Sequence, residues 1–114
     1  MTIEEILKAT GGEICCGEPR QQDQVYRAFC SDLMSDVLTL GCTDLLLITG
    51  LANLQAIRTA EMADIAYIIL VRNKQLTEEM ISVAKENNMV VIRCKSSMFK
   101  VAGQLYEAGL EPVY

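Results

Sequence analysis

The sequence predicts an α/β domain, a three-layer α/β/α arrangement with a mixed, mostly parallel five-stranded sheet. Three observations predict it. First, Thr43 to Lys74 reads as strand, turn, helix, strand. The apolar run Leu45-Leu46-Leu47-Ile48 stops at Thr49-Gly50. A helical segment with Ala52, Ala56, Ala60 and Ala63 follows, and Ala66 to Val71 closes a unit of βαβ size. Second, both strand runs are almost wholly apolar rather than alternating, as in a sheet covered on both faces. Third, helix and strand patterns alternate along the rest of the chain, which places helices on both sides of one sheet.

Each element has a local reason. Thr2 and Glu5 fit a capping box that starts a helix with Ile3, Ile6 and Leu7 on its apolar face. Gly11-Gly12 ends it. Glu13 to Cys16 is a short strand. Gly17 to Gln24, polar and holding Pro19, reads as a surface loop. Val25 to Cys30 is the next strand, and the link before it is too short for a helical crossover, so the two strands are expected to run antiparallel. Asp32 is expected to cap a helix over Leu33 to Leu40, ended by Gly41. After the central unit, Thr77 caps a helix with Glu78 and Glu79 in its first turn. Met89 to Arg93 is the last strand. Ser96 or Ser97 caps a final helix expected to turn Phe99, Ala102, Leu105 and Tyr106 inward, and Glu111 to Tyr114 is a short tail.

Composition narrows the function classes. At 114 residues the chain is expected to be one domain, residues 1–114. The net charge is −5 with no basic run, which argues against nucleic acid, because phosphate binding rests on clustered Lys and Arg. No apolar run approaches the ~20 residues that cross a bilayer. The acidic start lacks a signal peptide's basic and apolar regions, so a cytoplasmic location is expected. Five cysteines in apolar surroundings, with no C-x-x-C and no His anywhere, read as reduced packing residues and not as a metal site. Six Met and exposed-candidate apolars (Met34, Met98, Tyr114) point to further burial in a homodimer.

The chemistry-bearing motifs are mostly negative. There is no P-loop, no G-x-G-x-x-G after a strand, no G-x-S-x-G elbow, and no His to serve as base. What remains is a set of strand-to-helix turns: Ser31-Asp32, Thr49-Gly50-Leu51 with Asn53, and Lys95-Ser96-Ser97. In α/β sheets, ligands collect outside the carboxyl ends of the strands, where helix N-termini offer free N–H groups to anions. Ser, Thr, Asp and Asn are equally ordinary helix caps. Gln55 can orient a polar group. Arg58 can reach a phosphate or carboxylate, or simply pair with Glu61 on the helix surface. The site expected on this basis is nucleotide-like, with phosphate near Gly50 and hydroxyls near Asp32.

Ser31-Asp32-Leu33-Met34-Ser35-Asp36-Val37-Leu38, then Leu46-Leu47-Ile48-Thr49-Gly50-Leu51, then Ile57-Arg58-Thr59-Ala60-Glu61-Met62-Ala63-Asp64, resemble the DRTGG domain family, which is similar to the N-terminal domain of HPr kinase/phosphorylase. The resemblance covers roughly residues 2–110. Asp32-Leu33 stands where the family typically has Asp-Arg, and Thr49-Gly50-Leu51 where it has Thr-Gly-Gly. The resemblance implies a three-layer domain, here standing alone, of a kind that accompanies CBS pairs and metabolic enzymes. It implies sensing or regulation without an activity or cofactor of its own. The implied role is a non-catalytic regulatory domain that binds a small anionic metabolite or nucleotide. The alternative is a protein-interaction subunit that regulates a larger metabolic or redox enzyme complex.

Overall fold

The computed structural model describes residues 1–20 and 22–114; Gln21, inside the loop expected over residues 17–24, lies outside them. Chain order is α1 (Ile3–Thr10), β1 (Glu13–Cys16), β2 (Arg27–Cys30), α2 (Met34–Val37), β3 (Leu45–Thr49), α3 (Leu54–Met62), β4 (Tyr67–Leu70), α4 (Glu78–Glu86), β5 (Val90–Arg93), α5 (Met98–Glu107) and β6 (Glu111–Pro112). The strands form one sheet in the order β1-β5-β4-β3-β2-β6. It has six strands rather than five, because the tail adds a two-residue strand that pairs parallel to Arg27 and Ala28. β1 alone runs antiparallel, against β5.

β1 and β2 run in opposite senses, but they are not neighbours. Three strands separate them. The described residues at both ends of the link lie by the amino ends of those strands. Gly17 lies against Met89 and Val90, ahead of β5. The Tyr26 amide donates to the Asp44 carbonyl just ahead of β3. A ten-residue link is too short for a helical crossover but reaches ~30 Å when extended, more than the ~19 Å of four strand spacings.

The sheet's period-2 alternation divides the core. Leu45, Leu47, Ile68, Leu70 and Val91 face α2, α3 and α4. Leu46, Ile48, Ile69, Val71 and Ile92 face α1 and α5. All five residues of β3 are buried, which is why its sequence shows no alternation. Ala56 and Ala60 are fully buried on α3 and let that helix lie close to the sheet.

Several local expectations are corrected. α2 is one turn, four residues long, and its cap position is Leu33, with no side-chain bond; Asp32 does not cap it. Met34 is buried in the α2 face of the core rather than exposed. α5 buries Val101 and Leu105, whereas Phe99 is 90% and Tyr106 70% exposed. The 98-101-105 and 99-102-106 stripes both have helical spacing. The sheet, flanked by α1, takes the slimmer Met, Val and Leu stripe and leaves the aromatic one outside. Among the described residues the ion pairs are Arg27–Asp44 and Arg93–Glu13, so the expected Arg58–Glu61 pair does not form.

Candidate functional site

The carboxyl ends of β2, β3, β4 and β5 lie along one edge, and their following turns build the candidate site. Asp32 is the centre of the first two. Its Oδ1 accepts from the Thr49 hydroxyl at 2.9 Å and from the Gly50 amide at 2.7 Å. The Thr49 hydroxyl in turn accepts from the Leu51 amide at 3.1 Å. Ser31 Oγ accepts from the Leu33 amide at 3.0 Å, closing a local turn that sets the direction of Asp32. Ser31, Asp32, Thr49, Gly50 and Leu51 are thus one hydrogen-bonded unit joining two strand ends. Thr49 is fully buried while Asp32 is exposed. Both bonds fall on Oδ1, so Oδ2 is left without a hydrogen bond among the described residues.

The other expected residues take simpler places. Asn53 caps α3, its Oδ1 accepting from the Ala56 amide at 3.0 Å. Gln55 and Arg58 are exposed along α3. Ser97 caps α5 by accepting from the Lys100 amide at 3.2 Å. Ser96 supplies a carbonyl to the Arg72 amide at 2.8 Å. Ser96 and Ser97 share the edge with Asp32 but stand three strands away, roughly 14 Å at the usual spacing. The three turns therefore line an edge and do not close into one pocket. The Gly50 amide, expected to face a phosphate, is taken by Asp32. A Cβ at Gly50 would meet the Asp32 carboxylate at 3.6 Å, an ordinary contact.

Between the two groups lies a turn that the sequence reading missed. Arg72 and Asn73 follow β4 with φ of 64° and 57°, left-handed values that L residues adopt at a cost. Two bonds hold them there: the Arg72 amide to the Ser96 carbonyl, and the Asn73 amide to the Cys94 carbonyl at 2.8 Å. The chain leaves β4 for α4 on one face and leaves β5 for α5 on the other. The crevice where successive connections diverge to opposite faces is where such sheets bind ligands. Arg72, Lys74 and Lys95 supply positive charge there, Arg72 and Lys95 being exposed. The available signal was Arg-Asn-Lys directly after an apolar run, with Asn among the non-glycine residues most tolerant of left-handed backbone.

Two larger concavities lie outside this set of turns. An apolar one of about 480 Å³ runs between α5 and the β2–β6 side of the sheet. A polar one of about 920 Å³ lies at the opposite edge, lined by Arg20, Asp23, Tyr67 and Lys85. Burial, then a hydrogen bond to the Asp23 carboxylate, pushes the Tyr67 phenol up to about 12. The cysteines are all free thiols. Burial raises the Cys15, Cys16 and Cys94 thiols and disfavours their thiolates, while Cys30 is exposed. Among the described residues no group of three His, Cys, Asp or Glu side chains gathers as a metal site, and no helix is long and apolar enough to cross a membrane.

The Asp32–Thr49–Gly50 unit joins the residues that carry the resemblance noted in the sequence, and a model of the DRTGG domain matches residues 5–108. The chain belongs to the DRTGG domain family. Its fold is similar to that of the CBS and DRTGG domains of the regulatory region of a Clostridium perfringens pyrophosphatase, complexed with its activator diadenosine tetraphosphate. The TM-score is 0.72 at 13% identity, over 91% of this chain and 45% of that one. This DRTGG domain thus spans under half of its neighbour, and the likeness is one of fold. No curated protein matches it in sequence.

Proposed function

We propose that this DRTGG domain is a non-catalytic regulatory domain that binds a nucleotide or similar phosphorylated metabolite along the carboxyl edge of its sheet. The observation that carries the reading is the strained turn at Arg72-Asn73. Left-handed backbone strains a bulky residue such as Arg72, and strain of this kind gathers at binding and switch sites. In this reading the phosphates meet Arg72, Lys74 and Lys95 beside Ser96 and Ser97. Asp32 Oδ2 accepts from a sugar hydroxyl, with Asn53, Gln55 and Arg58 flanking. The distance between Asp32 and Ser96 favours an extended nucleotide over a lone phosphate. The activator bound by the pyrophosphatase regulatory region, a dinucleotide, supports the same ligand class. The domain is taken to be cytoplasmic and to work as a homodimer.

The test is thermal denaturation with ATP, diadenosine tetraphosphate or inorganic phosphate added. A ligand at 100 times its Kd stabilises by about 2.7 kcal/mol, so a nucleotide raises Tm by several degrees. Asp32→Ala weakens nucleotides more than phosphate. An unchanged Tm with all three probes at millimolar concentration removes the reading. The second reading is a subunit that regulates a larger metabolic or redox enzyme. That reading predicts retention of one such enzyme on the immobilised domain.

A further inference from the structure

α5 carries a glycine that nothing inside the molecule explains. Gly103 lies mid-helix and exposed, and a Cβ there would meet no atom within 4 Å. Glycine is among the poorest helix residues, so an open interior position is normally filled. Gly103 instead forms a notch in the apolar groove of about 480 Å³, between Phe99 one turn before it and Tyr106 one turn after it. Tyr114, 87% exposed and edge-to-face on Phe29 at 6.2 Å, walls the far side.

We propose that this groove is the self-association face of the domain, with α5 of a second copy crossing antiparallel at Gly103. The inference rests on the homodimer reading and is independent of the ligand reading. Three observations choose a second copy. Lys100 and Glu107 are both exposed, seven residues apart, on the flank of the same stripe, and neither pairs within the described residues. An antiparallel crossing centred on Gly103 sets each Lys100 against the Glu107 of the other copy, twice by symmetry. The strand edge beside the groove is only two residues long and ends in Pro112, which has no N–H, so an extended peptide cannot add to it. Three aromatic side chains at ~150–250 Å² each approach the roughly 800 Å² per partner of a standard interface. With no side chain at Gly103, the two helices approach closely at the crossing.

Sedimentation of the full chain at about 50 µM tests this. The parent sediments as a dimer. Gly103→Leu fills the notch without touching the monomer's packing and gives a monomer with an unchanged circular-dichroism spectrum. Lys100→Glu weakens association about tenfold or more, and Lys100→Glu with Glu107→Lys restores it. A parent that is monomeric overturns both this face and the homodimer reading. A dimer that survives Gly103→Leu, or that the double charge reversal fails to rescue, overturns this face alone.

Discussion

The Gly50 amide donates to Asp32 Oδ1 across 2.7 Å, joining residues eighteen apart in sequence at adjacent strand ends. The same oxygen takes the Thr49 hydroxyl. An acid whose sequence context reads as a helix cap is thus the clasp between two strand-to-helix turns. Helix capping is local, whereas this bond depends on the parallel register that sets Cys30 opposite Ile48.

A double-mutant cycle measures the clasp. Asp32→Ala and Thr49→Val each lower stability in urea, the second by about 1–2 kcal/mol because the half-buried Leu51 amide also loses its acceptor. Their coupling is about 1 kcal/mol, as for directly bonded neighbours. Additive effects within ~0.3 kcal/mol would mean that the bond contributes nothing in solution.

Arg72→Gly separates stability from binding. Glycine relieves the left-handed strain but adds unfolded-state entropy, so stability stays within about 1 kcal/mol of the parent. Nucleotide binding, read by calorimetry, weakens because the guanidinium is gone. Unaltered affinity would place the phosphates elsewhere.

Two glycines respond oppositely to alanine. Gly17 has φ of +94°, and a Cβ there would collide with the Met89 carbonyl and the Val90 Cα. Gly17→Ala therefore costs more than about 3 kcal/mol or yields no folded protein. Gly103→Ala, at open helical backbone, stabilises the monomer by roughly 0.5–1 kcal/mol. Urea melts at low protein concentration decide both, and similar values at the two sites would contradict this account.

Tyr67 sets an alkaline limit. Its phenol ionises near 10 unfolded and about 12 folded. Folding thus favours the protonated form. That stability is fully present below the unfolded value and is lost as pH rises from 10 through 12. Tyr67→Phe flattens the fall in Tm over this window, and the absorbance of tyrosinate shows one late-titrating group fewer than in the parent. A parent Tm that is flat from pH 10 to 12 would refute the assignment.

The fold class was legible because strand burial and helix capping are properties of short stretches. Leu45 to Ile48 is apolar throughout since both faces of β3 are covered, and Thr2, Asn53, Thr77 and Ser97 cap because their side chains reach amides three residues away. Family membership was legible for the same reason, as it rests on short residue runs.

What the chain could not disclose locally is which distant stretches meet. β1 and β2 run in opposite senses, as expected, yet the sheet parts them by three strands, because a ten-residue link is long enough to cross the sheet as well as to turn back. Glu111-Pro112 is too short to announce a strand and becomes one only where β2 presents a free edge. Which stripe of α5 faces inward depends on the sheet and the α1 helix it packs against, not on helical spacing. Asp32 as a clasp, and Arg72-Asn73 as a strained turn held by Ser96 and Cys94, exist only once parallel pairing has brought four strand ends to one edge. Local interactions chose the elements; non-local hydrogen bonds and packing space chose their order, their inward faces and the residues at the candidate site.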